Sequence, residues 1–236
     1  MRKAALIAWR EIRWEIFGDR GAVLRTGIFA ILPIFFVLTN RASTLGGSAD
    51  LAVLLLAFQS ALIPALSGVA LISSTFTQEK ENGTLVPLLA APIRDMDIVV
   101  GKLLGMVGPV MLICTSSLAV YYVLGSIMYG TVLMRRAVPV EILYAILVVA
   151  FLYLVTAGSW VMIIAAIVKT TRAGQQISGL MIGLSAALFG ILGVVASRIA
   201  GGWALVGLGL ACVVADLIAL EIARRVWQRG EVIGRL

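Results

Sequence analysis

The sequence predicts an all-α integral membrane protein with six transmembrane helices, an N-terminal amphipathic interfacial helix and a short cytoplasmic helix between the second and third spans. Three observations carry this prediction. The chain is 61% hydrophobic and only 13% charged, with a mean hydropathy of +1.06, far outside the composition of soluble domains. Apolar runs long enough to cross a bilayer recur from end to end. The basic residues, finally, fall almost entirely on one side of those runs.

At the N-terminus, Met1-Arg2-Lys3 resembles the basic opening of a signal peptide, but only six apolar residues follow before Arg10. No cleavage site is visible, so this segment is expected to remain in the mature protein. Residues 1–20 are read as an amphipathic helix on the cytoplasmic leaflet, with Trp9, Ile12 and Ile16 on one face and Glu11 and Glu15 on another. Its separation of faces is ragged, because Arg13 falls near the apolar side and Trp14 near the charged one. Gly18-Asp19-Arg20-Gly21 then breaks the helix.

The spans are expected at about residues 22–39, 51–75, 103–128, 138–168, 177–197 and 203–220, together forming one transmembrane domain over residues 21–236. The first is barely long enough for a hydrocarbon core of about 30 Å at roughly 1.5 Å per residue. An even number of spans puts both termini on one side. Arg2, Lys3, Arg10, Arg13, Arg20, Arg25, Lys80, Arg94, Lys102, Lys169, Arg172, Arg224, Arg225, Arg229 and Arg235 gather there, against Arg41, Arg135, Arg136 and Arg198 on the other. The positive-inside rule makes the first side cytoplasmic. The same bias accounts for the net charge of +7, and short loops offer no extended basic surface for nucleic acid.

Within the spans, Pro33, Pro64 and Pro109 each remove a helix hydrogen bond and shape or hinge the first three spans. Gly101-x-x-x-Gly105 and Gly179-x-x-x-Gly183 let helices approach closely, either within the chain, the simpler reading, or at a dimer seam. Gln59 and Asp216 are the candidate intramembrane polar residues. Asp216 is the one acid deep in a span, placed either on a transport pathway or in an ion pair with Arg224 or Arg225. Cys114 and Cys212 lie in apolar runs and are read as buried thiols. The absence of His excludes His-ligated metal and His acid-base chemistry, and no metal site is expected.

The longest polar interruption, residues 76–102, holds seven of the chain's 19 basic and 12 acidic residues. A cluster of that density belongs in water. Asn82-Gly83-Thr84 is expected to break the second helix, with Thr84 as N-cap of a short helix that Pro92 stops. Pro87 falls in its first turn, where a missing N–H costs little. Leu85, Leu88 and Leu89 form an apolar stripe at i, i+3, i+4. That stripe covers either this chain's own helix ends or a cleft in a cytoplasmic partner.

Phe76-x-x-Glu79-Lys80-Glu81-x-Gly83-Thr84-Leu85-x-x-Leu88-Leu89-x-x-Pro92-Ile93, followed by Ile98-x-x-Gly101-Lys102, resembles the signature of ABC-2 type permeases, the membrane subunits of ABC exporters. Pro87 departs from that pattern, which favours an acidic or polar residue, so no charge contact is assigned there. The resemblance implies that residues 76–102 carry a coupling helix seated in a groove of a separate cytoplasmic ABC ATPase. It further implies two ATPase copies on a permease homodimer or pseudo-dimer. Glu79, Glu81, Gly83, Thr84, Leu85, Leu88 and Leu89 would form the docking set, with the N-terminal amphipathic helix (Trp9, Ile12, Ile16) acting as an elbow. ATP and Mg would be held by the partner, since this chain has no phosphate-binding Gly-x-x-x-x-Gly-Lys-Ser/Thr loop and binds no cofactor itself. The expected function is export of a hydrophobic or amphipathic substrate across the plasma or inner membrane.

Two other classes compete with this reading. An ion-coupled secondary transporter or channel would need polar sites near the midplane, for which Gln59 and Asp216 are the available residues. A membrane-embedded enzyme would need paired acids or His, which the spans lack.

Overall fold

The computed structural model describes residues 49–81, 95–167 and 213–219, together with residues 6, 9, 28, 31, 34, 35, 38, 176, 179, 180, 183, 210, 221 and 222. Four helices follow in order: α1 (Ala49–Glu81), α2 (Asp95–Tyr129), α3 (Thr131–Ala137) and α4 (Val140–Ile167). Residues 213–219 are also helical, and no strand occurs among the described residues. Val100–Tyr129 in α2 and Val140–Ile164 in α4 are long and apolar enough to cross a membrane, while Ala52–Leu66 in α1 is a shorter apolar stretch. Most of the expected first, fifth and sixth spans lies outside the described residues.

α1 continues through residues 76–81 to just before the break expected at Asn82-Gly83-Thr84, and the polar stretch departs from its expected outline at its other end. Residues 76–81 continue α1, because Gln, Glu and Lys are good helix formers and charge alone does not end a helix. At the other end, α2 is already helical at Asp95, eight positions into what had read as a water-facing loop closing at Lys102. Ile98, Gly101 and Lys102 are buried, Lys102 completely so. Ile98, Gly101 and Lys102 therefore belong to the packed body of the protein, as Leu103 does after them.

The chain forms two compact units. One comprises Met1–Ile12, Leu66–Val107 and Leu152–Leu236, and the other comprises Arg13–Ala65 and Gly108–Phe151. In the second unit, Val53, Leu56, Ala57 and Ala61 of α1 meet Leu118 and Tyr121 of α2 and Ile146 of α4 in one buried cluster. Two hydroxyls cross this seam. Tyr121 donates to the Val53 carbonyl and Ser117 donates to the Ser60 carbonyl, each at 2.7 Å.

The second of these bonds has a specific cause. In an α-helix the Ser60 carbonyl would accept from the backbone N–H of residue 64, but residue 64 is proline and has none. Ser117 supplies the missing donor from the neighbouring helix. Other hydroxyls in α2 and α4 fold back on their own helices, as Ser126 does to Tyr122 and Ser159 to Val155. Ser117 and Tyr121 instead reach across to α1.

Between α2 and α4 the expected plain link carries α3. Gly130 turns the chain with φ +93°, a conformation that favours glycine. Met134 then inserts fully into the cluster, and Ala137 and Val138 follow it. Gly125 makes room for this: a Cβ there would meet Met134 Sδ at 2.8 Å and Cε at 2.9 Å. The two Gly-x-x-x-Gly pairs behave differently. Gly101 and Gly105 are buried, whereas Gly179 and Gly183 are exposed and a Cβ at either would meet open space. Among the described residues, close packing within the chain is therefore seen at the first pair and not at the second.

Candidate functional site

Only part of the predicted docking set falls on described residues. Glu79 and Glu81 lie in the last described turn of α1, whereas Gly83, Thr84, Leu85, Leu88 and Leu89 lie outside the described residues. On either side of residues 82–94, however, the chain is helical: α1 runs 33 residues up to that segment and α2 runs 35 residues away from it. At about 1.5 Å per residue each is about 50 Å long, more than a hydrocarbon core of about 30 Å requires. Both continue through an internal proline, Pro64 in α1 and Pro109 in α2. Of the predicted elbow residues, Trp9 is helical and 65% exposed, which suits an interfacial aromatic, while Ile12 and Ile16 lie outside the described residues.

The two candidate intramembrane polar residues differ. Gln59 sits on the exposed side of α1. Asp216 is buried on a helical segment whose neighbours Val213, Val214, Leu217 and Ile218 are exposed, and Ala219 is buried beside it. Its carboxylate accepts a hydrogen bond from the Thr156 hydroxyl of α4. That hydroxyl is also 2.9 Å from the Leu152 carbonyl. Thr156 is the partner of Asp216 among the described residues, and Arg224 and Arg225, the ion-pair partners offered by one of the two sequence readings, lie outside them. A hydroxyl more than four turns into α4 answers a buried acid without bringing a second charge into apolar surroundings.

No group of three or more His, Cys, Asp or Glu side chains suited to a metal occurs among the described residues. Cys114 is a free, buried thiol. Sequence reasoning missed Thr156, Ser117 and Tyr121. Their signal is weak, because serine, threonine and tyrosine are common in apolar helices and the partner is set by tertiary contact. Pro64 offers the one usable clue, since a proline deep in a span leaves a carbonyl that something must answer.

A family model described as ABC-2 family transporter protein matches residues 26–209. The chain belongs to the ABC-2 family. It is a membrane transport protein, and its family supplies the permease component of ABC transporters rather than the ATP-binding subunit. ABC-2 permeases generally partner with an ABC ATPase subunit. A comparison with curated proteins finds no match. The family match runs across α1, α2, α3 and α4 and includes the whole of residues 76–102, so the signature and the helices that flank it fall within one ABC-2 region.

Proposed function

We propose that this ABC-2 permease is the membrane half of an ATP-driven exporter that moves a hydrophobic or amphipathic substrate. In this reading six spans cross the membrane, both termini are cytoplasmic, and residues 1–20 form an elbow helix on the inner leaflet. A coupling helix within residues 82–94 docks into a cytoplasmic ATPase. Two ATPase copies, holding ATP and Mg, act on a permease homodimer or pseudo-dimer. Glu79, Glu81, Thr84, Leu85, Leu88 and Leu89 form the docking surface, with Gly83 permitting the turn.

The observation that supports this best is the placement of the signature between two long helices of an ABC-2 family region. A displacement of residues 82–94 by a partner acts on the ends of two helices rather than on slack chain. Pull-down of the native complex tests the assignment. A cytoplasmic ATPase is expected to co-purify with the wild-type chain and to be lost from Leu85→Asp with Leu88→Asp. If that double variant keeps both the ATPase and transport, the docking surface lies elsewhere.

A further inference from the structure

We propose that α3 is an interfacial helix that seats the permease against phospholipid headgroups of the leaflet opposite the coupling loop. The inference rests on the topology proposed above only for the choice of leaflet.

The placement follows from the two flanking helices. Val100–Tyr129 and Val140–Ile164 are apolar enough to cross a membrane, and α3 joins the end of one to the start of the other. Seven residues span only about 10 Å, so α3 cannot itself cross. It therefore lies at the membrane boundary where α2 ends and α4 begins.

Its two sides differ: one is buried in the protein, and the other carries Val132 with Arg135 and Arg136 at i, i+3, i+4. Met134 and Ala137 are buried in the protein, whereas Val132 is 82% exposed, the most exposed large apolar side chain among the described residues. Facing the acyl boundary, that valine is stabilising, which water would not provide. The neighbouring surface is of the same kind. Ile127 at the end of α2 and Val140 and Tyr144 at the start of α4 are all exposed, so the apolar patch of α3 continues the lipid-facing surface of the spans.

Arg135 and Arg136 supply the headgroup contacts. Both are exposed in the last turn of α3. They are two of the four basic residues that run against the cytoplasmic bias, and phosphate at that depth complements them. Arg136 also meets Asp50 at 3.2 Å, with the arginine side chain 78% exposed. One carboxylate contact leaves donors of its guanidinium directed outward.

The test places a spin label on the full-length chain in phosphatidylcholine–phosphatidylglycerol vesicles, through Val132→Cys in a Cys114→Ala, Cys212→Ala background. Val132 is exposed, so the label leaves the core intact. The label is expected about 5–10 Å below the phosphates, colliding more with lipid-soluble oxygen than with a water-soluble nickel chelate. Arg135→Gln with Arg136→Gln is expected to move it toward water. Free access of nickel to the label, or shielding from both reagents as in a protein contact, overturns the inference. An unchanged depth in the double arginine variant overturns the headgroup contact. Sidedness is read separately with Thr131→Cys and a membrane-impermeant maleimide. Reaction from the coupling-loop side refutes the proposed topology while leaving the depth result to judge α3 itself.

Discussion

Ser117→Ala isolates the most specific contact in the fold. The hydroxyl donates at 2.7 Å to the Ser60 carbonyl, whose ordinary helical donor is missing because residue 64 is proline. Both serines are buried, at 0% and 1% exposure, so water cannot take over the bond. Removing the hydroxyl creates almost no cavity, and the cost is that of a buried carbonyl left without a donor, about 1–3 kcal/mol. At about 1.4 kcal/mol per factor of ten this is roughly a 5- to 150-fold change in the unfolding equilibrium. The assay is reversible unfolding in mixed detergent micelles, run as a cycle with Pro64→Ala. Alanine at residue 64 returns the backbone N–H, so Ser117→Ala should cost little in that background. A carbonyl has two lone pairs, so wild-type Ser117 and the restored N–H can both be accommodated. The cycle should show a coupling of about 1 kcal/mol or more. Equal costs in the two backgrounds would refute the assignment of Ser117 as the donor that replaces residue 64.

Four further perturbations read other parts of the packing by the same unfolding assay. Met134→Ala empties a fully buried site in the α1–α2–α4 cluster and is expected to destabilise by about 2–5 kcal/mol. Gly125→Val, which forces side-chain atoms onto Met134 Sδ and Cε, should cost about 1–3 kcal/mol. A neutral result for both would mean that α3 is not held by that contact. Thr156→Val removes the hydroxyl donor to buried Asp216 and should cost about 1–3 kcal/mol, while Thr156→Ser keeps the donor and recovers most of it; equal losses would show that bulk, not the bond, matters. Asp50→Asn breaks an ion pair whose side chains are 78% and 46% exposed, so its effect should stay below about 1 kcal/mol and fade with salt.

What the sequence discloses and what it withholds divide along a physical line. The membrane class is a bulk property, readable from composition, and the family signature is local, readable from spacing in residues 76–102. Contacts between helices are neither. Lys102 reads as a solvated cation by type, yet it is completely buried, because its depth is set by what surrounds the first turns of α2. The short helix α3 was hidden by length, since seven residues carry little periodicity. Its trace was nonetheless present: after the turn at Gly130, the apolar residues Met134, Ala137 and Val138 stand at i, i+3, i+4 and form its buried face. Asp216 was visible as an anomaly, but its partner was not. A threonine in an apolar helix is unremarkable until a carboxylate sixty residues away lies against it.

The helical state of residues 76–81 sharpens the docking set into a test. In a loop, Glu79 and Glu81 could both turn toward one partner. In α1 they are two residues apart, hence about 200° around the axis, and positions i and i+2 do not share a face. A groove that takes one side of the helix therefore contacts one glutamate and leaves the other in solvent. Glu79→Gln and Glu81→Gln, made separately, should act unequally on ATPase binding. The engaged residue should weaken it by up to about fivefold, as an exposed charge pair of about 0.2–1 kcal/mol allows, and the other should have no measurable effect. Binding of the ATPase to the reconstituted permease at two ionic strengths provides the measurement, with only the engaged variant losing salt sensitivity. Equal losses from both would mean that the helix does not persist to Glu81 in the complex. No loss from either would remove the acids from the docking surface and leave the leucine stripe to hold the partner alone.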